Sequence, residues 1–209
     1  MKIVGISDTH NQYQGLEKII PDGDILIHAG DLVRHGTVDE LQKFVNWYSH
    51  LPHQYKIFVG GNHDGGLEHN RNEIHIPSNL IYLENELVEI EGLKIWGSPV
   101  SPPYRSFGFM WDEPRRFATY QKIPDNCDII INHSPPFGKL DLVEEGMNVG
   151  CKILADRLEQ LQPRFVICGH IHESYGTLVD NKTTYINASI MNRRYEPVNP
   201  PICFDLEPL

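Results

Sequence analysis

Cysteine is scarce. The four thiols, Cys127, Cys151, Cys168 and Cys203, stand far apart, with no C-x-x-C among them. That excludes a zinc ribbon and argues against a disulfide-stapled fold; reduced, mostly buried thiols are expected. Long apolar runs are missing as well. No stretch approaches the ~20 apolar residues that a membrane helix needs, so no membrane role is expected. Positive charge is short: 18 Lys and Arg against 28 Asp and Glu give a formal charge of −10, and there is no Lys/Arg run. Proteins that grip long nucleic acid present a basic face, so that partner is not expected either. The opening MKIVGISDTH holds one Lys and few apolar residues before Asp8, which does not read as a signal peptide and predicts a cytoplasmic protein. Internal repeats and dividing linkers are also lacking, so residues 1–209 read as a single domain.

What the chain has instead is histidine, 11 residues, and a series of short β-branched runs. KIVGIS (2–7), DILIHA (24–29), YKIFVG (55–60), DIIIN (128–132) and FVIC (165–168) hardly alternate, the pattern of strands buried on both faces. The spacing of Val38, Leu41, Val45, Tyr48 and Leu51 predicts a helix over 38–51, with Thr37 as N-cap and Glu40 three residues on. A second helix is predicted over 151–161 through Ile153, Leu154, Leu158 and Leu161, stopping before Pro163. Residues 80–97 read as short strands around Glu91-Gly92, and 174–206 as further strands around Asp180-Asn181. Strand–helix alternation joined to hairpins predicts a layered α/β sandwich. In such sheets the site lies at the carboxyl ends of the strands.

Each of the five runs leads into a polar loop. The loops offer Asp8 and His10 as D-x-H, then Asp31 in GD, then Asn62, His63 and Asp64 in GNHD, then His133, then His170 and His172 in GHIH. These are nearly all oxygen and nitrogen donors of the kind that bind divalent Mn, Fe, Zn or Ni. One such His after a strand is usually a surface or capping residue. Five such loops in succession predict a metal site.

The series D-x-H, GD, GNHD, H, GHxH resembles the signature of the calcineurin-like metallophosphoesterases. The likeness runs from Asp8 to His172, with the tail expected to complete the second sheet. WGSPVSPPY, NHSPPFGKLD and GHIHESYG further resemble the small metallophosphoesterase-domain proteins of animals and their bacterial relatives. The resemblance implies a four-layer αββα sandwich with mixed sheets. It implies two divalent metal ions, with Mn²⁺ expected and Fe, Zn, Co or Ni as alternatives. Asp8, His10 and His172 would hold the first, Asp31 would bridge, and Asn62, His133 and His170 would complete the second. A water between the ions would attack the phosphorus in line. His63 would stay off the metals and face the scissile phosphate, with Asp64 as its orienting partner. The implied activity is hydrolysis of a small phosphodiester, a nucleotide among the candidates, and a homodimer is compatible with the family.

Some features fit other activities or stand outside the signature. Protein phosphatases of the superfamily carry GDxVDRG; GDLVRHG replaces the Asp-Arg pair with Arg34-His35, which counts against that activity and leaves the phosphate-facing role of Arg34 or His35 open. Scaffold members lose catalytic His or metal ligands, and this chain keeps the whole set. His28 reads equally as a support behind a ligand and as a core His. Residues 99–116 read two ways. In one, the loop overhangs the metals, with Phe107, Phe109 or Trp111 stacking a base and Arg105 or Arg115 meeting phosphate. In the other it is a hydrophobic plug. His50, His53, His69 and His75 read as surface residues.

Overall fold

The computed structural model describes residues 1–207. In chain order the strands are β1 (Lys2–Ile6), β2 (Ile25–His28), β3 (Tyr55–Phe58), β4 (Ile81–Tyr82), β5 (Glu86–Ile90), β6 (Leu93–Ser98), β7 (Ile129–Asn132), β8 (Phe165–Cys168), β9 (Gly176–Asp180), β10 (Thr183–Asn187) and β11 (Ile202–Asp205). The helices are α1 (Val38–Ser49), α2 (Gly65–His69), α3 (Glu113–Tyr120) and α4 (Lys152–Leu161). They form two mixed sheets flanked by helices. One sheet runs β11-β1-β2-β3-β4 and the other β5-β6-β7-β8-β10-β9. The central neighbours are parallel, while β11, β5 and β9 pair antiparallel at the edges.

The uniform apolarity of the strands has a direct cause. Odd-numbered Ile3, Ile25, Ile27, Ile57, Ile95, Ile129, Ile131 and Ile167 form one buried cluster between the sheets. Even-numbered Val4, Leu26, Phe58, Ile130 and Val166 belong to the cluster shared with the helices, including Leu41, Phe44, Tyr120, Leu154 and Leu158. With both faces covered, neither can be polar. The Tyr48 hydroxyl anchors α1 on the first sheet by donating to the carbonyls of Leu26 and Ile57, at 3.1 and 3.0 Å. Truncating Ile27 or Ile131 to Ala would open a cavity at a cost of about 2–5 kcal/mol.

The capping box of Thr37 and Glu40 starts α1 where the sequence places it. Three expectations need correction. Residues 113–120 are helical, capped by Asp112 accepting from the Arg115 N–H, so the long loop ends before Arg115. The tail does not stay in the second sheet: β9 and β10 join it, whereas β11 crosses back to pair with β1. His53 is buried, with Nε2 on the Pro21 carbonyl at 2.9 Å. No helix among the described residues is long and apolar enough to cross a membrane.

Candidate metal centre

The loops after β1, β2, β3, β7 and β8 converge at one end of the sandwich. Their backbones are tightly bent. Asp8, His10, Asp31 and His170 all take left-handed φ, 58°, 43°, 54° and 67°. Non-glycine residues adopt this region at a cost of about 1–3 kcal/mol each where the surroundings enforce it. The surroundings do so through hydrogen bonds. Asp8 N–H donates to Gly30 O (2.9 Å), His10 N–H to Asp31 O (3.1 Å), and His170 N–H to both Asp8 carboxylate oxygens (3.0 and 3.1 Å). Glycine is required where loops touch: a Cβ on Gly61 would lie 2.4 Å from Asp31 Oδ1, and one on Gly169 2.1 Å from Asp8 Oδ2.

Three groups of side chains could each hold a metal ion: Asp8, His10 and His172; His10, Asp31 and His63; and Asp31, His133 and His170. His172 Nε2 lies 3.5 Å from Asp8 Oδ1 and 3.3 Å from His10 Nε2. His133 Nε2 lies 3.3 Å from Asp31 Oδ1 and 3.0 Å from Asn62 Oδ1. Ligands with bonds of about 2.0–2.2 Å to one ion lie roughly 3–3.6 Å apart, so these are ligand-like separations.

The tautomers make the case stronger. His133 Nδ1 contacts the Ala29 carbonyl at 2.9 Å and His172 Nδ1 the Asn192 carbonyl at 3.1 Å. A carbonyl only accepts, so both Nδ1 atoms carry hydrogen, and in the neutral rings both Nε2 atoms present bare lone pairs to oxygens. Lone pairs facing lone pairs repel, and a cation between them removes the repulsion. The donor set fits divalent metal.

Without metal the charges adjust instead. Burial pushes Asp8 and Asp31 upward, but the adjacent His172 and His133 outweigh it and hold both well below the usual carboxylate range. Burial would lower His133, yet Asp31 raises it to about 9. Burial pushes His10 and His170 down to about 4.

A family model described as calcineurin-like phosphoesterase matches residues 1–174. The chain belongs to that family. Metallophosphoesterase domain-containing protein 1 of Homo sapiens is 38% identical over 98% of this chain and 71% of its own length. A protein named probable glycerophosphodiester phosphodiesterase GpdQ, of Arcobacter nitrofigilis, is 24% identical over 85% of this chain and 74% of its own. The crystal structure of TT1561 from Thermus thermophilus superimposes with a TM-score of 0.64 at 15% identity, covering 89% of this chain and 88% of that one. That last likeness concerns the fold alone.

In this family member Asp64 does not orient His63 through its ring. Asp64 is buried and accepts from the backbone N–H groups of Gly61 (2.8 Å), Leu32 and Val33 (3.1 Å each), tying the Asp31 loop to the GNHD loop. Burial and the Asp31 charge push its carboxyl up to about 8, against the pull of those donors. The partner of His63 is a backbone carbonyl: its Nδ1 bonds Arg34 O at 2.8 Å. The Nε2 is left to face the site. His28 combines both of its readings. It is fully buried, and its ring meets Thr9 Oγ1 at 3.0 Å and accepts from Gly30 N–H at 3.3 Å, beside Asp8 and Asp31.

Trp111 lies away from the site. It is buried, its indole N–H donates to Glu68 at 2.7 Å, and Arg115 covers its ring. Phe109 is buried too. The same loop nevertheless overhangs the centre with Tyr104, Arg105 and Phe107, so plug and overhang are two parts of one loop. A cleft of about 300 Å³ is lined by these three together with Asp31, Asn62, His63, His170, His172, Glu173, Arg193 and Tyr195. A second hollow, about 390 Å³, opens on the other side of His63 and Phe107, beside Arg34, His35 and His69. Tyr195 is a site residue that sequence reasoning misses. Its ring sits 4.8 Å from that of His10 and 5.1 Å from that of His172, under the Arg34 guanidinium at 5.2 Å. It lies in an irregular segment with no periodic signal to announce it.

Proposed function

We propose that this phosphoesterase hydrolyses phosphodiesters at a centre of two divalent cations. One observation carries the reading: the two oxygens of Asp31 point to different ligand groups, Oδ2 toward His10 at 3.6 Å and Oδ1 toward His133 at 3.3 Å. A carboxylate so placed is suited to bridge. Asp8, His10 and His172 would hold one cation with Asp31, and Asn62, His133 and His170 the other. Two such ions would neutralise the phosphate and make a water acidic enough to serve as nucleophile. Mn²⁺ suits the mixed oxygen and nitrogen donors, with Fe, Zn, Co or Ni as alternatives.

The residues divide the remaining work. His63, hydrogen-bonded through Nδ1 to the Arg34 carbonyl, presents Nε2 to the phosphate as a proton donor or charge clamp. His28 and Asp64 hold the ligand loops together. Two hollows share Asn62, His63 and Phe107, so a phosphate at the centre has room for a substituent on either side. A diester needs both and a monoester one. Phe107, Tyr104 and Tyr195 offer aromatic faces to one arm, which suits a nucleobase or aryl group, while Arg34 and Arg105 offer positive charge.

The test uses metal-stripped protein with and without Mn²⁺, on bis-p-nitrophenyl phosphate and p-nitrophenyl phosphate side by side. Mn-dependent turnover favouring the diester is expected. A preference for the monoester would remove the diester assignment. No turnover with any divalent metal, in folded protein, would leave a binding module.

A further inference from the structure

We infer that Glu68 is the residue that positions the substrate-facing tip of the 101–111 loop, and through it governs which ester arms the phosphoesterase accepts. The inference rests on the proposed diesterase reading only for its catalytic consequence; the positioning itself does not depend on it.

Glu68 belongs to α2, the short helix that begins directly after Asn62-His63-Asp64. Its side chain is only 15% exposed. One carboxylate oxygen accepts from the Phe109 backbone N–H and the other from the Trp111 indole N–H at 2.7 Å. Arg115 Nη1 stands 3.9 Å from the second oxygen, and His69 Nε2 3.8 Å from the first. A half-buried carboxylate with two N–H donors and a nearby guanidinium is a charge-assisted clasp, stronger than two neutral hydrogen bonds.

The clasp acts on the stem of the loop. Ser101 N–H donates to Phe109 O at 3.0 Å and Trp111 N–H to Ser101 O at 3.2 Å, closing the stem. Phe109 holds a left-handed φ of 53° and is fully buried, with its ring against Gly60. Gly108 N–H donates to the Asn62 carbonyl at 3.0 Å, so the stem is bonded to the backbone of a candidate ligand. The tip is different. Tyr104 and Phe107 are 62% and 39% exposed, and Arg105 stacks on its neighbour Tyr104. Phe107 lies 4.9 Å from the His63 ring and separates the two hollows. Among the described residues the tip is tied by the Tyr104 N–H donating to Met110 Sδ at 3.2 Å, in the stem, and by the Phe107 contact with His63, and Glu68 clasps that stem.

Glu68→Gln keeps the shape, removes the charge and turns one acceptor into a donor that faces an N–H. The first readout needs neither metal nor turnover: trypsin cleavage after Arg105 in metal-free protein, with cleavage after Lys182 in the β9–β10 turn as control. Cleavage after Arg105 should rise about tenfold with the control unchanged, because local opening sets the rate. Equal acceleration at both sites would mean global destabilisation, and no acceleration at either would mean the clasp is idle; either result overturns the inference. The second readout is kinetic. Glu68→Gln and Phe107→Ala should each raise KM for bis-p-nitrophenyl phosphate about tenfold with metal content and kcat near wild type, and the double variant should be no worse than either single one. Additive losses would place Glu68 on a separate path and overturn the coupling. Should Glu68→Gln fail to fold, Trp111→Phe removes one donor and keeps a smaller aromatic ring, and about a threefold rise in Arg105 cleavage over that at Lys182 is expected. If the wild type turns over no diester while Arg105 cleavage still responds, the functional reading fails and the clasp stands.

Discussion

Two parts of the molecule meet at the same cleft and are built on opposite terms. The ligand loops are buried, bent into left-handed backbone, and cross-linked by Asp64, His28 and the Asp8 carboxylate. The loop tip at Tyr104–Phe107 is exposed and hangs from its stem, and the largely exposed segment around Tyr195 is a surface turn, with Tyr195 N–H donating to Asn192 O at 2.9 Å and Gln12 Nε2 to Tyr195 O at 2.7 Å. The first region holds its donor atoms in buried, hydrogen-bonded backbone; the second can be altered without disturbing the sheets. On the proposed function, reaction chemistry would belong to the strand ends and selectivity to what overhangs them, as loops on a rigid scaffold allow.

That division can be broken at its strongest point. Asp31→Ala should abolish turnover, a loss of roughly 10⁴-fold or more, because its two oxygens face two ligand groups. Metal analysis should show both ions reduced; two ions retained would refute the bridge. His63→Ala should cost ~10²–10⁴-fold in kcat with metal content unchanged. The group His10, Asp31 and His63 could itself hold an ion, so loss of metal in that variant would make His63 a ligand instead.

Proton competition separates the two regions next. In the metal-free protein Asp31 holds His133 protonated, up to about 9. A cation entering near neutral pH must displace that proton, so affinity falls as pH falls. Titration with Mn²⁺ should show apparent Kd improving about tenfold per pH unit between roughly pH 6 and 8; a flat profile would mean that His133 is not a ligand. The smallest effect belongs to the overhang. Phe107→Ala should raise KM for aryl diesters roughly tenfold while leaving alkyl diesters nearly unchanged, as a stacking contact predicts. Equal effects on both would make Phe107 a wall with no stacking role.

The two regions are also unequally legible in the sequence. Strand-end loops announce themselves because a β-branched run and its polar loop are contiguous, so Asp8, His10, Asp31, Asn62, His63, Asp64, His133, His170 and His172 stand out as candidates in the sequence, and the family resemblance is what divides them into expected ligands and others. Where a carboxylate sends its hydrogen bonds is not written locally. The family resemblance implies that Asp64 serves the ring of His63, and it instead accepts backbone N–H groups from Leu32 and Val33 in the Asp31 loop and from Gly61 in its own. Helix α3 escapes a pattern search because its start, Glu113-Pro114-Arg115-Arg116, is nearly all polar and only its cap and packing reveal it. Trp111 reads either as a substrate contact or as part of a plug, because an aromatic in an Arg-containing loop looks the same in both. Tyr195 has no pattern at all, and only the return of the tail after β10 brings it to His10.

The left-handed ligand residues bear on the lifetime of the protein in a cell. Conformational strain of about 1–3 kcal/mol per site, multiplied over Asp8, His10, Asp31 and His170, is a sizeable share of a typical folding free energy. A cation that binds only the folded form would offset it by mass action. Chains made when metal is short would open more often and meet proteases more often. Abundance, and not only specific activity, would then follow the metal supply.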